Sequence, residues 1–121
     1  MAQNPPLKEN ASKKVIYLDD AKKFDKATQS VVFAGAAWCG YSQMGAGKFG
    51  AACNDLENGK CYIADVTDPA SASALKKLGA NPNAFPDHFV WSPGEKKFSE
   101  IVGMRSAPEL KAELSKKGFK F

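Results

Sequence analysis

Histidine is almost absent from this chain, with one residue, His88, in 121. Only three cysteines accompany it, Cys39, Cys53 and Cys61, and they lack the paired spacing that holds zinc. No metal and no cofactor are expected. No apolar run approaches the ~20 residues that cross a bilayer, so no membrane association is expected. An apolar signal region is also missing. Residues 1–14 are polar and contain prolines, so 1–13 are expected to form a flexible lead-in and 14–121 one domain. Any secretory signal is expected to have been removed ahead of Met1. Charge of one sign is not concentrated either. Seventeen basic and thirteen acidic residues give +4, and the basic residues are scattered apart from lysine pairs such as Lys76-Lys77 and Lys116-Lys117. Such pairs mark solvated faces, and nucleic-acid binding is not expected. Three is an odd count of cysteines, which suits one structural pair plus one reactive thiol.

What is present suits a single core: 44% of the residues are hydrophobic. The stretch FAGAAWCGYSQM, residues 33–44, organises the rest. An apolar run ends at Trp38-Cys39-Gly40, and a segment with helical spacing follows. A cysteine there lies at the first turn of a helix. Free backbone N–H groups and the helix dipole favour its thiolate, lowering a thiol pKa from about 8.5 toward roughly 7 or below. Cys39-Gly40-Tyr41-Ser42 has the spacing of a Cys-x-x-Cys redox motif with oxygen in place of the second sulfur.

Residues 14–18 read as a strand. Asp19 or Asp20 caps an expected helix to about Ala27. Residues 31–36 are continuously apolar, as in a strand buried on both faces. Met44, Phe49, Ala52, Cys53 and Leu56 form the apolar stripe of a helix over 40–56, weakened by Gly45, Gly47 and Gly50. Asn58-Gly59 turns into a strand over 61–66. Asp68-Pro69 opens a helix that stops at Gly79. Residues 80–85 form a loop. A strand over 87–91, a turn at Ser92-Pro93-Gly94 and a strand over 97–102 make an antiparallel pair. Ser106 and Glu109 form a capping box for the last helix, whose seam is Leu110 and Leu114. The order is β-α-β-α-β-α-β-β-α, and the early crossovers suit parallel pairing.

With that order in place, the chain resembles the thioredoxin superfamily over roughly residues 14–117. Trp38-Cys39-Gly40-x-Ser42 between a buried strand and a helix carries the resemblance. So do Phe85-Pro86 entering the fourth strand, and Gly103 after the fifth with an amphipathic helix beyond. The resemblance implies an α/β fold, a central mixed β-sheet flanked by helices. It also implies a cis-proline at Pro86 opposite the active-site cysteine. Two departures stand out. Relatives carry a resolving cysteine where this chain has Ser42, and thioredoxin has a buried acid where this chain has Phe33. Ser42 is then either native to a one-cysteine site or a replacement that traps mixed disulfides.

Cys39 is the expected nucleophile, and Ser42, one turn on, can donate a hydrogen bond to its thiolate. Trp38, Gly40, Tyr41, Phe85 and Pro86 are the expected substrate-binding residues. Their groove would leave backbone groups free to pair with an extended chain. Cys53 and Cys61 are spaced to form a structural disulfide if their Cα atoms come within about 7 Å. His88 reads as a core group, and Asp87 lies nearer the site, where its charge would oppose a thiolate. The expected activity is thiol–disulfide exchange on disulfide-containing or thiol proteins, with glutathione or another external thiol releasing the product. The alternative is a non-catalytic binding module or redox chaperone that uses the proline groove. A monomer is expected. A Cys53–Cys61 bond favours a periplasm or secretory lumen, and reduced thiols would fit a cytoplasm.

Overall fold

The computed structural model describes residues 4–121; residues 1–3 of the expected lead-in lie outside it. Five strands are present: β1 (Val15–Tyr17), β2 (Ser30–Gly35), β3 (Lys60–Asp65), β4 (Asp87–Ser92) and β5 (Lys97–Val102). Three helices accompany them: α1 (Gly40–Asn54), α2 (Pro69–Leu78) and α3 (Ala107–Ser115). The sheet order is β1-β3-β2-β4-β5. β3 is parallel to β1 and β2, β4 is antiparallel to β2, and β5 is antiparallel to β4.

β2 is buried at all six positions, so its side chains divide between two cores by strand parity. Val31 and Phe33 join Cys61 and Ile63 on the side of α1 and α3, with Phe49, Ala52, Leu110 and Leu114. Val32 and Ala34 join Tyr62, Ala64 and Phe89 on the side of α2, with Ala74 and Leu75. The chain is therefore three layers deep, and the C-terminal end of β2 opens directly into α1.

The helix boundaries follow their capping residues. The Asp68 side chain accepts from Ala70 N, and Gly79 closes α2 at φ 78°, in the left-handed region. Ser106 and Glu109 satisfy each other's backbone amides at the start of α3.

Three expectations give way. The helix expected from Asp20 to Ala27 is only a 3-10 turn, Ala21–Lys23. Asp25 breaks it: its carboxylate accepts from Ala27 N and from the Thr28 hydroxyl, an alternative to helical bonding. In the expected lead-in, Leu7–Asn10 form a 3-10 turn, and Leu7 is fully buried with its N–H on Asp65 Oδ2 at 3.2 Å. Met44 lies off the buried stripe of α1 and is 52% exposed. Its place on the helix, five residues before Phe49, is about 140° round from that side chain.

The weak helix α1 is held from outside. Cys53 on α1 and Cys61 on β3 form a disulfide with Cα atoms 6.4 Å apart, buried in the core beneath the helix. Gly45 packs tightly: a Cβ there would lie 3.1 Å from Pro86 Cγ and 3.3 Å from Phe33 Cε2, so those side chains would have to give by a few tenths of an ångström. Gly47 and Gly50 face open space. Gly47→Ala and Gly50→Ala are each expected to stabilise the protein by about 0.5–1 kcal/mol, read as a higher urea midpoint at unchanged slope. A lower midpoint for either would mean that something packs on that face of α1.

Candidate functional site

β2 delivers the chain to a short turn, and the turn delivers Cys39 to the N-cap of α1. Cys39 N donates to Ala36 O at 2.9 Å, and Cys39 O accepts from Gln43 N at 3.1 Å. The sulfur makes no capping bond of its own. The helix therefore begins without its help, and the first-turn amides remain for the sulfur. Burial raises the Cys39 thiol pKa. The Ser42 amide, the Ser42 hydroxyl and the Tyr41 amide act against it, and the net shift is downward.

Ser42 is fully buried, and its oxygen accepts from Ala36 N at 3.1 Å. Its own proton is left for the sulfur. Gly35 makes room for this arrangement. A Cβ at Gly35 would lie 2.8 Å from Ser42 Oγ and 3.0 Å from Leu7 Cδ1.

The opposite wall is the loop between α2 and β4. The Phe85–Pro86 peptide bond is cis. Phe85 O lies 3.8 Å from Cys39 Sγ, within reach of a thiol donor. Trp38 meets Phe85 edge to face, with ring centroids 5.7 Å apart. Trp38 is 63% exposed and Tyr41 65% exposed, while Pro86 is buried. Gly40 is open to solvent at the first position of α1. The structure thus gathers Cys39, Ser42, Trp38, Phe85 and Pro86 into one site, with Tyr41 turned outward beside it. Cys53 and Cys61 lie in the core and leave Cys39 as the free cysteine among the described residues.

Other residues build this site without having stood out in the sequence. Asp65 ends β3 beside Gly35, and its Oδ1 accepts from Ala37 N at 3.2 Å and from the Thr67 hydroxyl at 2.6 Å. Its Oδ2 holds Leu7 N, so one carboxylate ties the cysteine turn, the N-terminal segment and the β3–α2 turn together. Gln43 Nε2 donates to Ala37 O at 2.9 Å and Pro5 O at 2.7 Å. An acid closing an otherwise apolar strand, CYIAD, was the signal for Asp65.

His88 and Asp87 sit behind the site. His88 Nδ1 lies 3.0 Å from Ile101 O, and its ring packs against Phe33 and Phe49. Burial lowers its pKa to about 4, so at neutral pH it is an uncharged core group. Asp87 turns its carboxylate to the amides of Asn83 and His88.

No family model matches the sequence, and no curated protein matches it significantly. Solved structures do. Thioredoxin O2 from Arabidopsis thaliana is 23% identical, with a TM-score of 0.65 over 85% of this chain and 93% of that one. Thioredoxin NaTrxh from Nicotiana alata is 21% identical, with a TM-score of 0.63 over 97% and 95% of the two chains. Schistosoma mansoni thioredoxin is 23% identical, with a TM-score of 0.64 over 85% and 94%. The strand order, the crossovers and these likenesses agree: the chain has a thioredoxin-like fold.

Proposed function

We propose that this protein exchanges thiols and disulfides on protein substrates through Cys39 alone. The observation that carries this reading is the free sulfur at the N-cap of α1. It faces the Phe85 carbonyl and has its pKa lowered, while the other two cysteines are bonded to each other. In the first step the Cys39 thiolate attacks one sulfur of a substrate disulfide. The Cys39–substrate disulfide forms as the substrate's own S–S bond breaks, and the departing thiolate takes a proton from water. Ser42 has no sulfur to attack the mixed disulfide. An external thiol of the glutathione class then attacks it and regenerates Cys39, leaving the substrate reduced at one sulfur and the thiol's sulfur on the other product. Alternatively another substrate cysteine attacks, and the substrate leaves with a rearranged disulfide. The chain would work as a monomer in a periplasm or secretory lumen, where Cys53–Cys61 persists; a cytoplasmic site is the alternative.

A binding role has support of its own. Trp38 and Tyr41, which flank Cys39 in sequence, and Met44 further along α1 are large apolar side chains left exposed. The two roles differ in covalent chemistry. Incubation with scrambled ribonuclease and no added thiol should give an adduct, seen on non-reducing gels, that maps to Cys39 and disappears when glutathione is added. Binding without any adduct would favour the module.

Ser42→Cys tests the geometry of the pair. The new sulfur replaces a buried oxygen one turn from Cys39, and under mild oxidant the variant is expected to form a disulfide between Cys39 and the introduced thiol. It should then need no external thiol to release its product. A variant that stays fully reduced would show that the two side chains do not face each other.

A further inference from the structure

The loop over 79–86 brings Phe85 and Pro86 to the sulfur of Cys39, yet its main chain is thinly held. Between residues 81 and 85, among the described residues, one backbone amide has an intramolecular acceptor: Asn83 N donates to Asp87 Oδ2 at 3.1 Å. Asp87 is fully buried at the first position of β4, opposite Ala34 on β2 and Val102 on β5. Its Oδ1 accepts from His88 N at 2.9 Å. One carboxylate thus joins the loop to the strand that follows it. The Asn83 side chain is held separately, with Nδ2 at 3.0 and 2.9 Å from the two oxygens of Glu100. Two acids therefore grip one asparagine, and neither forms an ion pair among the described residues.

A buried carboxylate without a cation is costly, and a neutral residue would fill the space at lower cost. We infer that Asp87 is a positioning residue for the substrate groove: through Asn83 it fixes the loop that sets Phe85 and Pro86 opposite Cys39, and its ionisation tightens that loop. This rests on the reading of that groove as the place where a protein substrate lies. The ionised carboxylate accepts both amides with charge-assisted bonds. The protonated one accepts more weakly, and its O–H competes with Asn83 Nδ2 for Glu100. Burial raises the Asp87 pKa to about 6, the Asn83 amide opposes this, Glu100 adds to it, and the His88 amide opposes it.

The other charged groups nearby leave this pair in control. His88, next on β4, is neutral. Arg105, after β5, is engaged by Glu113 and by the carbonyls of Val102 and Met104. Ala34 and Val102, the cross-strand neighbours, carry no charge. Cys39 lies across the loop and is neither an acceptor nor a donor for Asn83 N or for the Asp87 carboxylate among the described residues.

The test follows the Asn83 backbone amide by NMR in the full chain between pH 4.5 and 8. Its shift should titrate with an inflection near 6, which Asp87→Asn should abolish and Glu100→Gln should move to lower pH. Turnover of scrambled ribonuclease is the second readout. Asp87→Asn should raise KM about tenfold at pH 7, with kcat and the Cys39 alkylation rate within about twofold of wild type. It should also remove the fall in KM between pH 5.5 and 7. Glu100→Gln alters a surface side chain and keeps the test decisive if Asp87→Asn folds poorly. An Asn83 titration unchanged in both variants would overturn the inference. So would a loss confined to kcat and alkylation, which would make Asp87 a tuner of the sulfur. If the wild-type chain turns over no substrate, the proposed function fails, and the Asn83 titration still decides whether Asp87 anchors the loop.

Discussion

Cys39→Ala is expected to lower turnover of protein disulfides by at least about a thousandfold, to the rate of the external thiol alone. Among the described residues, the remaining sulfurs that could attack are Cys53 and Cys61, and both are buried and bonded. The loss should not come from unfolding. Cys39 makes no side-chain capping bond, and its thiol donates only to Phe85 O, at 3.8 Å, among the described residues. Stability should change by less than about 1 kcal/mol, since α1 begins without the sulfur's help. Ser42→Ala should have a smaller effect. It removes one of the groups that lower the thiol pKa and leaves Ala36 N without its acceptor. A Cys39→Ala protein that still rearranges substrate would move the activity elsewhere. The expected variant binds substrate as before without turnover.

Loss of the Cys53–Cys61 bond should be the largest single cost to stability. The bond closes a short loop, with a sequence separation of 8, for which chain entropy gives about 2–3 kcal/mol. The Cys53→Ala, Cys61→Ala double variant also leaves a gap where two buried sulfurs packed, which adds roughly 1 kcal/mol. The thermal midpoint should fall by about 12–16 °C. The fall should be concentrated in α1, whose three interior glycines make it the weakest helix, so hydrogen exchange over its C-terminal half should speed up most. Cys39 chemistry should survive below the new midpoint, because the N-terminal turn of α1 is held by Asp65 and Gln43 instead. A midpoint within about 2–3 °C of wild type would show that burial of Phe49 and Leu56 suffices to hold the helix.

The sequence was legible where local chemistry settles the outcome. Asp68-Pro69 and Gly79 marked both ends of α2, Ser106 and Glu109 marked the start of α3, and the apolar run after Gln29 marked the buried strand β2. It was less legible where a side chain competes with the backbone. Asp25 binding Ala27 N turned an expected helix into a 3-10 turn. It was least legible where residues distant in sequence meet. Nothing local in Leu7 foretells that its amide caps a carboxylate 58 residues away, so an N-terminal segment expected to be free is packed down. Asp65 did not stand out, and Asp87 was read only as a charge near Cys39, yet both are buried and hold loop amides, Ala37 N and Asn83 N. Met44 was placed by counting apolar residues, whereas the helix buries the stripe through Ser42, Gly45, Ala46 and Phe49.

Cys39 is proposed as the reactive sulfur, and its surroundings favour the thiolate. Iodoacetamide alkylation of the native protein, followed against pH and mapped by peptide mass, tests this assignment directly. Modification of Cys39 alone is expected, with a midpoint below the ~8.5 of an unperturbed cysteine. Ser42→Ala should move that midpoint upward, because the Ser42 hydroxyl is one of the groups holding the pKa down. Labelling of Cys53 or Cys61 ahead of Cys39, or a Cys39 midpoint at or above the unperturbed value, would contradict it.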